Sequence, residues 1–267
     1  MFNSPVRLLY FSPTGTTRKV LETIAEGLGE DKPKHINLTS AVARIGQKRK
    51  IRGGLTVIGV PVYTGRVALE AVRGIQRFKA KNAPAVLVVV YGNREYEDAL
   101  LELQDIVVEA GFTPIAGTTF IGEHSFSTET IPIAHGRPDN DDLNRARLFG
   151  ALVKEKITKS RKLESIPNLN VPGNFPYRER GPLRNISPET DDSICVRCEK
   201  CKEVCPTDAI VLLNGFVKTD ADKCILCCAC VKNCPSGARH LNDQQLIQFI
   251  KKLSISCGRR KEPEFFF

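Results

Sequence analysis

Two periods of hydrophobicity alternate along the first 160 residues. Short runs rich in β-branched residues predict strands, and longer stretches with apolar residues at helical spacing predict helices. Residues 84–91 are almost continuously apolar, which is typical of a central parallel strand covered on both faces. We therefore expect an α/β domain with a doubly wound parallel sheet of five strands in the order 2-1-3-4-5. The predicted strands span residues 6–11, 35–38, 55–60, 84–91 and 113–121, and the predicted helices span residues 16–28, 68–79, 95–110 and 141–159.

The pattern changes after residue 162. Residues 163–190 contain five prolines and no sustained periodicity, which predicts an extended, semi-rigid linker. Nine of the ten cysteines follow within residues 195–234, and a last helix is predicted over residues 243–253. We therefore divide the chain into an α/β domain at 1–162, the linker at 163–190, a cysteine-rich domain at 191–240, and a C-terminal helix and tail at 241–267.

Composition excludes several classes of protein. With 42% hydrophobic residues, the chain of 267 residues can build a real core, so wholesale disorder is excluded. No basic and apolar leader follows Met1, and the longest apolar run is too short to cross a bilayer, so we expect a cytoplasmic protein without a membrane partner. The clustering of the cysteines argues against a distributed disulfide network and favours metal binding.

The cysteines form an internal duplication. Each half reads C-x2-C-x2-C-x3-C-P, and each cysteine of the first half recurs 29 positions later in the second. This spacing is that of bacterial ferredoxins with two [4Fe-4S] clusters, in which the fourth cysteine of each run ligates the other cluster. Residues 210–219 between the halves predict a hairpin with its turn at Asn214 and Gly215. The expected ligand sets are Cys195, Cys198, Cys201 and Cys234 for one cluster, and Cys224, Cys227, Cys230 and Cys205 for the other.

Zinc is the alternative to clusters, because paired C-x2-C units also make tetrahedral zinc sites. Structural zinc uses four ligands per ion, and the third cysteine step of each run has no use in such a site. Cys228 and Cys257 stand outside the expected ligand sets. We interpret each of them as a packed structural residue rather than as a ligand or a redox thiol.

Three loops of the α/β domain carry candidate chemistry. The first loop lies between the first strand and the first helix, where hydroxyl and N–H groups at a helix N-terminus suit a phosphate dianion. Such residues also serve as ordinary helix caps. The other two loops follow the third and fourth strands and reach the same edge of the predicted sheet, where ligands bind. The three sets are Ser12, Thr14, Gly15, Thr16 and Thr17; Pro61, Val62, Tyr63, Thr64, Gly65 and Arg66; and Tyr91, Gly92, Asn93 and Tyr96.

The first loop resembles that of a known family. Ser12, Thr14, Gly15 and Thr17 match the phosphate-loop pattern Ser/Thr-x-Thr-Gly-x-Thr of flavodoxins, and the α/β domain as a whole is similar to these proteins. The entire chain resembles the flavodoxin/ferredoxin fusion proteins of anaerobic microbes, including residues 122–125, 134–139 and 172–177. The resemblance implies a flavodoxin-like domain followed by a small α+β ferredoxin domain of the bacterial 2[4Fe-4S] type.

The resemblance also implies FMN, with its phosphate at residues 12–17 and its isoalloxazine ring between the second and third loops. The chain contains no tryptophan, so Tyr63 would serve as the inner stacking residue and Tyr96 as the outer one. Arg66 is either a surface residue or, if it faces the pyrimidine edge, a group that raises the flavin potential. His124 and His135, beside the expected flavin site, are interpreted as structural residues or as proton donors.

The expected function is electron transfer between two [4Fe-4S] clusters and FMN, which couples one-electron and two-electron redox partners in anaerobic metabolism. One alternative is a flavin-dependent reductase of a small molecule, with residues 121–138 as a lid over the ring. Another alternative is a ferredoxin domain joined to a flavodoxin-like domain that binds a partner and no flavin. The sequence leaves open whether cluster and flavin meet within one chain or across a homodimer.

Net charge bears on the partner. The formal charge is +9, but two oxidised clusters with their thiolates contribute about −4 and an FMN phosphate about −2, which leaves roughly +3. We expect a redox protein as partner and no nucleic acid. A run of basic residues forms either a solvated loop or a docking site for an acidic partner. This run consists of Arg44, Lys48, Arg49, Lys50 and Arg52.

Overall fold

The computed structural model of the protein describes residues 5–160, 166–181 and 185–267. Residues 163–165 and 182–184 of the predicted linker lie outside the described residues. The strands of the α/β domain are β1 (Arg7–Tyr10), β2 (Lys34–Asn37), β3 (Arg49–Arg52), β4 (Thr56–Tyr63), β5 (Arg66–Val67), β6 (Phe78–Lys81), β7 (Ala83–Tyr91) and β8 (Phe112–Ile121). Its helices are α1 (Thr16–Leu28), α2 (Leu69–Ile75), α3 (Ala99–Glu109) and α4 (Asn140–Lys159), with a short 3-10 turn at Val42–Arg44.

The main sheet confirms the predicted strand order. Its parallel strands run β2-β1-β4-β7-β8, which is the order 2-1-3-4-5 when the short side strands are set aside. All nine residues of β7 are buried, as expected for a strand with helices over both faces. The loops that follow β1, β4 and β7 therefore meet at one edge of the sheet, and this edge carries the three candidate loops.

Two hydrophobic cores hold the helices on the sheet. On one face, Ile24 of α1 packs with Phe149 of α4, and on the other face α2 and α3 cover Leu9 and Leu87. Successive side chains of a strand point to opposite faces, so the continuous apolar run of β7 serves both cores. Helix α1 spans the predicted residues and ends at Gly29, whose φ of 79° suits a left-handed cap. None of the described helices combines the length and the apolar character that a membrane crossing requires.

A second, small sheet departs from the sequence prediction. Strand β3 pairs in parallel with β6, so the solvated-loop interpretation is wrong for residues 49–52. Ile51 and Phe78 are buried beneath this sheet, and their burial stabilises the pairing. Helix α2 ends at Ile75, well before the predicted end at residue 79, because the residues that follow pair with β3.

The cysteine-rich domain follows the predicted duplication. Its elements are β9 (Glu189–Thr190), α5 (Lys200–Glu203), β10 (Ile210–Leu213), β11 (Phe216–Thr219), α6 (Ala229–Lys232) and β12 (Arg239–His240). Strands β10 and β11 form the predicted hairpin, with Asn214 and Gly215 at positive φ in its turn. Strand β12 pairs with β9, which ties the end of the second half to the end of the linker.

The C-terminal segment returns to the α/β domain. Helix α7 (Gln244–Ser256) packs its apolar side against Ile133 of the loop after β8. The final strand β13 (Glu264–Phe266) pairs with β8 in antiparallel orientation. Phe265 packs there against Phe149, with 4.9 Å between the ring centroids. The C-terminal segment thus covers a sheet edge whose backbone groups would otherwise be unpaired.

Candidate functional site

The eight cysteines of the duplication line two separate cavities. The first cavity is lined by Cys205, Cys224, Cys227 and Cys230, with Cys228 also in its wall, and the second by Cys195, Cys198, Cys201 and Cys234. The empty space in them, including the part open to solvent, is about 330 and 320 Å³. Each cavity combines three cysteines of one half with the fourth cysteine of the other half. The structure thus brings together the two sets named from the spacing, and their role as ligands stays a prediction.

The chemistry of these cavities suits clusters better than single ions. No three His, Cys, Asp or Glu side chains among the described residues converge closely enough to hold one metal ion. A zinc site requires four donors around one atom, whereas a [4Fe-4S] cluster takes one thiolate at each of four separate irons. Burial raises the pKa of the Cys224, Cys227 and Cys230 thiols, so their thiolate forms need a bound cation to be stable there.

The backbone around the cysteines repeats with the sequence. Arg197 and Leu226 adopt φ values of 55° and 52°, and Glu199 and Cys228 adopt 56° and 55°. The members of each pair lie 29 positions apart, like the cysteines. These left-handed residues between successive cysteines turn the chain around each cavity. Cys228 occupies one of these turns, and its Sγ donates to the carbonyl oxygen of Leu226 at 3.7 Å, which agrees with a structural role.

The loop between β1 and α1 carries free hydrogen-bond donors. Gly15 adopts a φ of 83° just before the first helical residue. Because glycine has no side chain, it cannot cap the helix with one. The Ser12 hydroxyl accepts a hydrogen bond from the third helical N–H at 3.1 Å. Within the described part of the chain, the first two helical N–H groups, those of Thr16 and Thr17, have no acceptor. The Thr14 hydroxyl lies 3.2 Å from that of Thr16, so the loop can surround a phosphate with N–H and O–H donors.

The loop after β4 is a tight hairpin. Thr64 and Gly65 turn the chain at φ values of 54° and 77°, and β5 returns along β4. The first five residues of β4 are buried, whereas Pro61, Val62 and Tyr63 at its end are half-buried. Burial raises the pKa of Tyr63 well above its usual value, although the side chain keeps some solvent access. The end of β4 is thus a half-buried apolar surface, and Val62 and Tyr63 pack on the same core as Ile225 of the cysteine-rich domain.

Arg66 is part of the contact with the linker. Its guanidinium pairs with Glu102 through Nε–Oε2 and Nη2–Oε1 distances of 2.8 and 2.9 Å. Its Cζ atom lies 4.5 Å from the ring centroid of Tyr177, and Arg180 of the linker shares the same carboxylate at 2.6 Å. The surface interpretation of Arg66 is therefore wrong. A guanidinium held by a buried carboxylate and a tyrosine ring is also not free to approach a flavin, because Glu102 would lose a partner.

The loop after β7 is held by the C-terminal segment. The side chain of Asn93 donates to the carbonyl oxygens of Cys257 and Arg259, at 2.7 and 2.9 Å. The Tyr96 hydroxyl donates to Glu264 at 3.1 Å, and its ring packs edge-on against Tyr91 with 5.5 Å between centroids. Tyr96 is therefore engaged by the tail and by its neighbour. The expected outer stacking role of Tyr96 finds no support in these contacts.

His124 lies beside the same edge of the sheet. Its ring abuts Gly92, where a side chain of any size would collide with it. The N–H of Phe126 donates to His124 Nδ1 at 3.1 Å. Burial, with smaller contributions from the charges of Arg94 and Lys232, lowers the pKa of His124 to about 4. The neutral imidazole is thus the stable form at neutral pH, which favours the structural interpretation over the proton donor.

The cysteine-rich domain is seated at this edge. Ile225 lines the first cavity and also packs against the core beneath α2 and α3. Leu226 packs against the core beneath α7. Lys232 of α6 pairs with Glu123 and donates to the carbonyl oxygen of Ser127 at 2.6 Å. The first cavity therefore adjoins the end of β4 within one chain.

Sequence patterns did not identify the charged residues that hold the linker and the cysteine-rich domain on the α/β domain. Glu102 and Lys232 have partners far along the chain, and such pairs leave no local signal. Arg239, which lines the second cavity, does leave one. It stands 29 positions after the apolar Ile210, so an alignment of the two halves sets an arginine against an isoleucine at this position.

Residues 187–235 match the family described as the 4Fe-4S dicluster domain. No curated protein matches the chain. With the strand order of the main sheet, this match confirms the predicted fold class, a flavodoxin-like α/β domain followed by a ferredoxin-type 4Fe-4S domain.

Solved flavodoxins are similar to the N-terminal part of the chain. A flavodoxin from the domain Archaea is 15% identical and covers 58% of this chain and 99% of its own, with a TM-score of 0.37. Flavodoxin 1 from Bacillus cereus is 14% identical, with 59% and 99% covered and a TM-score of 0.37. The Fusobacterium nucleatum flavodoxin bound to flavin mononucleotide is 16% identical, with 57% and 98% covered and a TM-score of 0.38.

Replacing His124 by Gln should make the stability of the protein less dependent on pH. The pKa of His124 is about 4 in the folded protein and 6.5 without the effects of burial. As the pH falls through this window, the unfolded chain takes up the proton first, so stability is lost. For this one group the loss between pH 7 and pH 5 is roughly 2 kcal/mol. The measurement is the free energy of unfolding by denaturant at the two pH values under anaerobic conditions.

Thr130→Ala, at an exposed position of the same segment, removes no titratable group and provides the control. It should keep the pH dependence of the wild type. The charges that act on His124 are those of Arg94 and Lys232. The ion pair with Lys232 lowers the pKa of Glu123, so this carboxylate stays charged across the window. Equal pH dependence in the wild type and in His124→Gln would show that His124 is not buried in its neutral form.

Proposed function

We propose that this protein is an iron-sulfur flavoprotein that transfers electrons, with two [4Fe-4S] clusters in the cysteine-lined cavities and FMN at the strand-end edge. One observation carries the proposal. The cysteines of the duplication line two cavities, four to each, and the first cavity shares Ile225 with the core of the flavodoxin-like domain. A candidate one-electron cluster site and a candidate flavin site are thereby brought into contact within one chain.

The clusters would pass one electron at a time and FMN one or two, so the protein would couple one-electron and two-electron partners. The protein shields cysteines of the first cavity from solvent and leaves a cysteine of the second cavity accessible. Cys227 and Cys230 of the first cavity are buried, whereas Cys198 of the second cavity is exposed. Ile194 and Val196 beside it are 48% and 65% exposed. We therefore propose that the first cavity faces the flavin and that the second one is the more open to solvent.

The residues of the α/β domain fit FMN best at its phosphate end. The unpaired N–H groups of Thr16 and Thr17 and the Thr14 hydroxyl would bind the phosphate, and no acidic residue stands in the first turn of α1 to repel it. Val62 and Tyr63 would lie against the ring, since they are half-buried apolar residues at the carboxyl end of β4. Tyr96 is not part of this proposal.

A single chain is sufficient for this function. Ile225, Leu226 and Lys232 all connect the cysteine-rich domain to the α/β domain of the same chain. Transfer between cluster and flavin therefore needs no second copy of the protein. Of the two arrangements that the sequence left open, we propose the one within one chain.

The alternative of a reductase gains no specific support. It requires residues 121–138 to open as a lid over the flavin. Lys232 binds this segment from the cysteine-rich domain, and Ile133 is buried beneath α7. The Ser254 hydroxyl donates to the carbonyl oxygen of Pro132 at 2.7 Å. A segment held from two sides has little freedom to open.

The partner that we propose is an acidic redox protein, and the docking site is the outer face of the small sheet. Lys50 stands directly opposite Lys79, and Arg52 stands opposite Lys81. All four side chains are exposed, and none of them forms an ion pair within residues 5–160, 166–181 and 185–267. Like charges directly opposite each other destabilise a sheet. An arrangement that costs stability in the free protein favours a role in binding an acidic surface.

The small sheet is also close to a cluster cavity. Arg44, in the turn before β3, donates hydrogen bonds to the carbonyl oxygens of Leu38 and Pro206. Pro206 lines the first cavity. A partner on the basic face would therefore be held near the electron path rather than at a remote surface.

Replacing Cys198 or Cys227 by Ser should remove one cluster each, from the second and the first cavity. Iron and acid-labile sulfide should fall from about eight to about four per chain, because each cluster contains four of each. Both are measured after anaerobic purification and reconstitution, together with flavin content and absorbance. Cys228→Ser is the matched control, since Cys228 adjoins Cys227 in sequence and should be no ligand. If Cys228→Ser lost iron and Cys227→Ser did not, the ligand assignment would be wrong.

Gly15→Asp should weaken the binding of FMN about tenfold or more relative to Gly15→Asn, because a carboxylate repels a phosphate at a helix N-terminus. Asn and Asp both tolerate the left-handed backbone of this position, so the two variants differ mainly in charge. Fluorescence titration gives both affinities. Riboflavin, which lacks the phosphate, serves as the control ligand, and its affinity should differ little between the two variants. Equal FMN affinities would mean that the phosphate binds elsewhere.

The double variant Lys50→Glu and Lys79→Glu should slow electron exchange with an acidic ferredoxin about tenfold at low salt, and the dependence of the rate on salt should become weaker. Stopped-flow oxidation of the reduced ferredoxin, over a range of salt concentrations, measures both. The double variant Lys251→Glu and Lys252→Glu, at exposed positions of α7, makes the same change in net charge. It is the control and should leave the rate nearly unchanged. Equal effects of the two double variants would indicate a response to net charge rather than docking on the small sheet.

A further inference from the structure

Arg239 is a buried charge without an acidic partner. Its side chain is 3% exposed, and it forms no ion pair with any carboxylate of the described residues. It donates to the hydroxyls of Thr190 and Thr219, at 2.7 and 2.9 Å. Its Nε atom has no hydrogen-bond partner in the described structure. These neutral hydroxyls do not balance the full positive charge of the guanidinium.

The guanidinium lies between the two cysteine-lined cavities. Arg239 lines the second cavity, and its Nη2 atom donates to the Sγ atom of Cys230, a residue of the first cavity, at 3.7 Å. This is the only charged residue of the cysteine-rich domain that is fully buried among the described residues. Both cavities therefore share one internal cation.

Only one half of the duplication contributes this cation. The repeat of 29 positions relates Arg239 to Ile210, which lines the first cavity and is also 3% exposed. The two halves are alike in their cysteines, in the proline that follows them and in the left-handed turns, but at this buried position one half has a cation and the other an aliphatic side chain. A packing role alone would be met by isoleucine in both halves.

Physical chemistry indicates what compensates the charge. An unpaired guanidinium in the protein interior is strongly unfavourable, because it loses its hydration and gains no counter-charge. Four thiolates on an oxidised cubane core leave each cluster site with a net negative charge. A cation between two such sites is stabilised by both. In return, positive charge and N–H···S hydrogen bonds favour the form of a cluster that carries one more electron.

We propose that Arg239 is the shared counter-cation of the two cluster sites, which raises both of their reduction potentials and makes the two unequal. This inference rests on the proposed function, since it requires clusters in both cavities. The site held by Cys205, Cys224, Cys227 and Cys230 receives the hydrogen bond and is affected most. Electrons on the second cluster are thereby drawn toward the first, which adjoins the end of β4. Arg239 acts as a positioning residue through its charge, and it binds no substrate.

The test is a redox titration of the purified holoprotein, monitored by electron paramagnetic resonance, in the wild type and in the variants Arg239→Gln and Arg239→Lys. Gln keeps N–H donors without the charge, and Lys keeps the charge. We expect at least a tenfold loss in the equilibrium constant for reduction of one cluster in Arg239→Gln, which corresponds to about 59 mV for one electron. The shift in Arg239→Lys should be smaller. Arg197→Gln removes an exposed charge that also lines the second cavity, and it should shift the potentials little.

The outcomes separate this inference from the function on which it rests. If the wild type binds no iron after reconstitution, the proposed function fails. If Arg239→Gln keeps both clusters with unchanged potentials, or if Lys and Gln shift them equally, the inference is overturned while the proposed function stands. If Arg239→Gln does not assemble its clusters, the midpoint potentials of the wild type provide the test. A cation that affects one cluster more than the other requires two distinct one-electron midpoint potentials. Coincident midpoints in the wild type would overturn the proposal.

Discussion

The contact on which the rest of the structure depends is the docking of a cysteine loop on the carboxyl ends of the parallel strands. Ile225 belongs to the wall of the first cavity and to the core beneath α2 and α3, so these parts cannot separate without exposing apolar surface to water. Lys232 and Glu123 lock the same contact from a second side. A redox site and the ligand-binding edge of a doubly wound sheet are thus held at a set separation, which is what transfer within one chain requires.

Charge is distributed over three roles in this basic protein. Some cations fasten segments together, as Arg66 and Arg180 do when they bring the linker onto Glu102. Arg239 is buried between the cysteine-lined cavities and forms no ion pair with any described carboxylate. The cations of the small sheet face solvent with no acid beside them. The net charge of +9 is therefore a sum over unlike roles, and only the third one bears directly on partners.

Sequence reasoning succeeded where the signal is local. The boundaries of α1, the hairpin at 210–219 and the strand order follow from glycine positions, turn residues and periodicity over a few residues. It failed for β3 and for Arg66. The pairing of β3 depends on β6, and the ion pair of Arg66 depends on a helix far along the chain. A basic segment with one buried isoleucine looks like a loop until its partner strand is known.

The sequence alone determined the two-domain organisation, the doubly wound sheet and the grouping of eight cysteines, because repeats and periodicities are written directly in the order of residues. Only the tertiary structure decided which cavity adjoins the α/β domain, which half of the duplication contributes a buried cation, and that Tyr96 is engaged by the C-terminal segment. These properties arise from burial and from charges that meet across long stretches of chain. Such encounters depend on how complete surfaces fit together, and no local pattern encodes them.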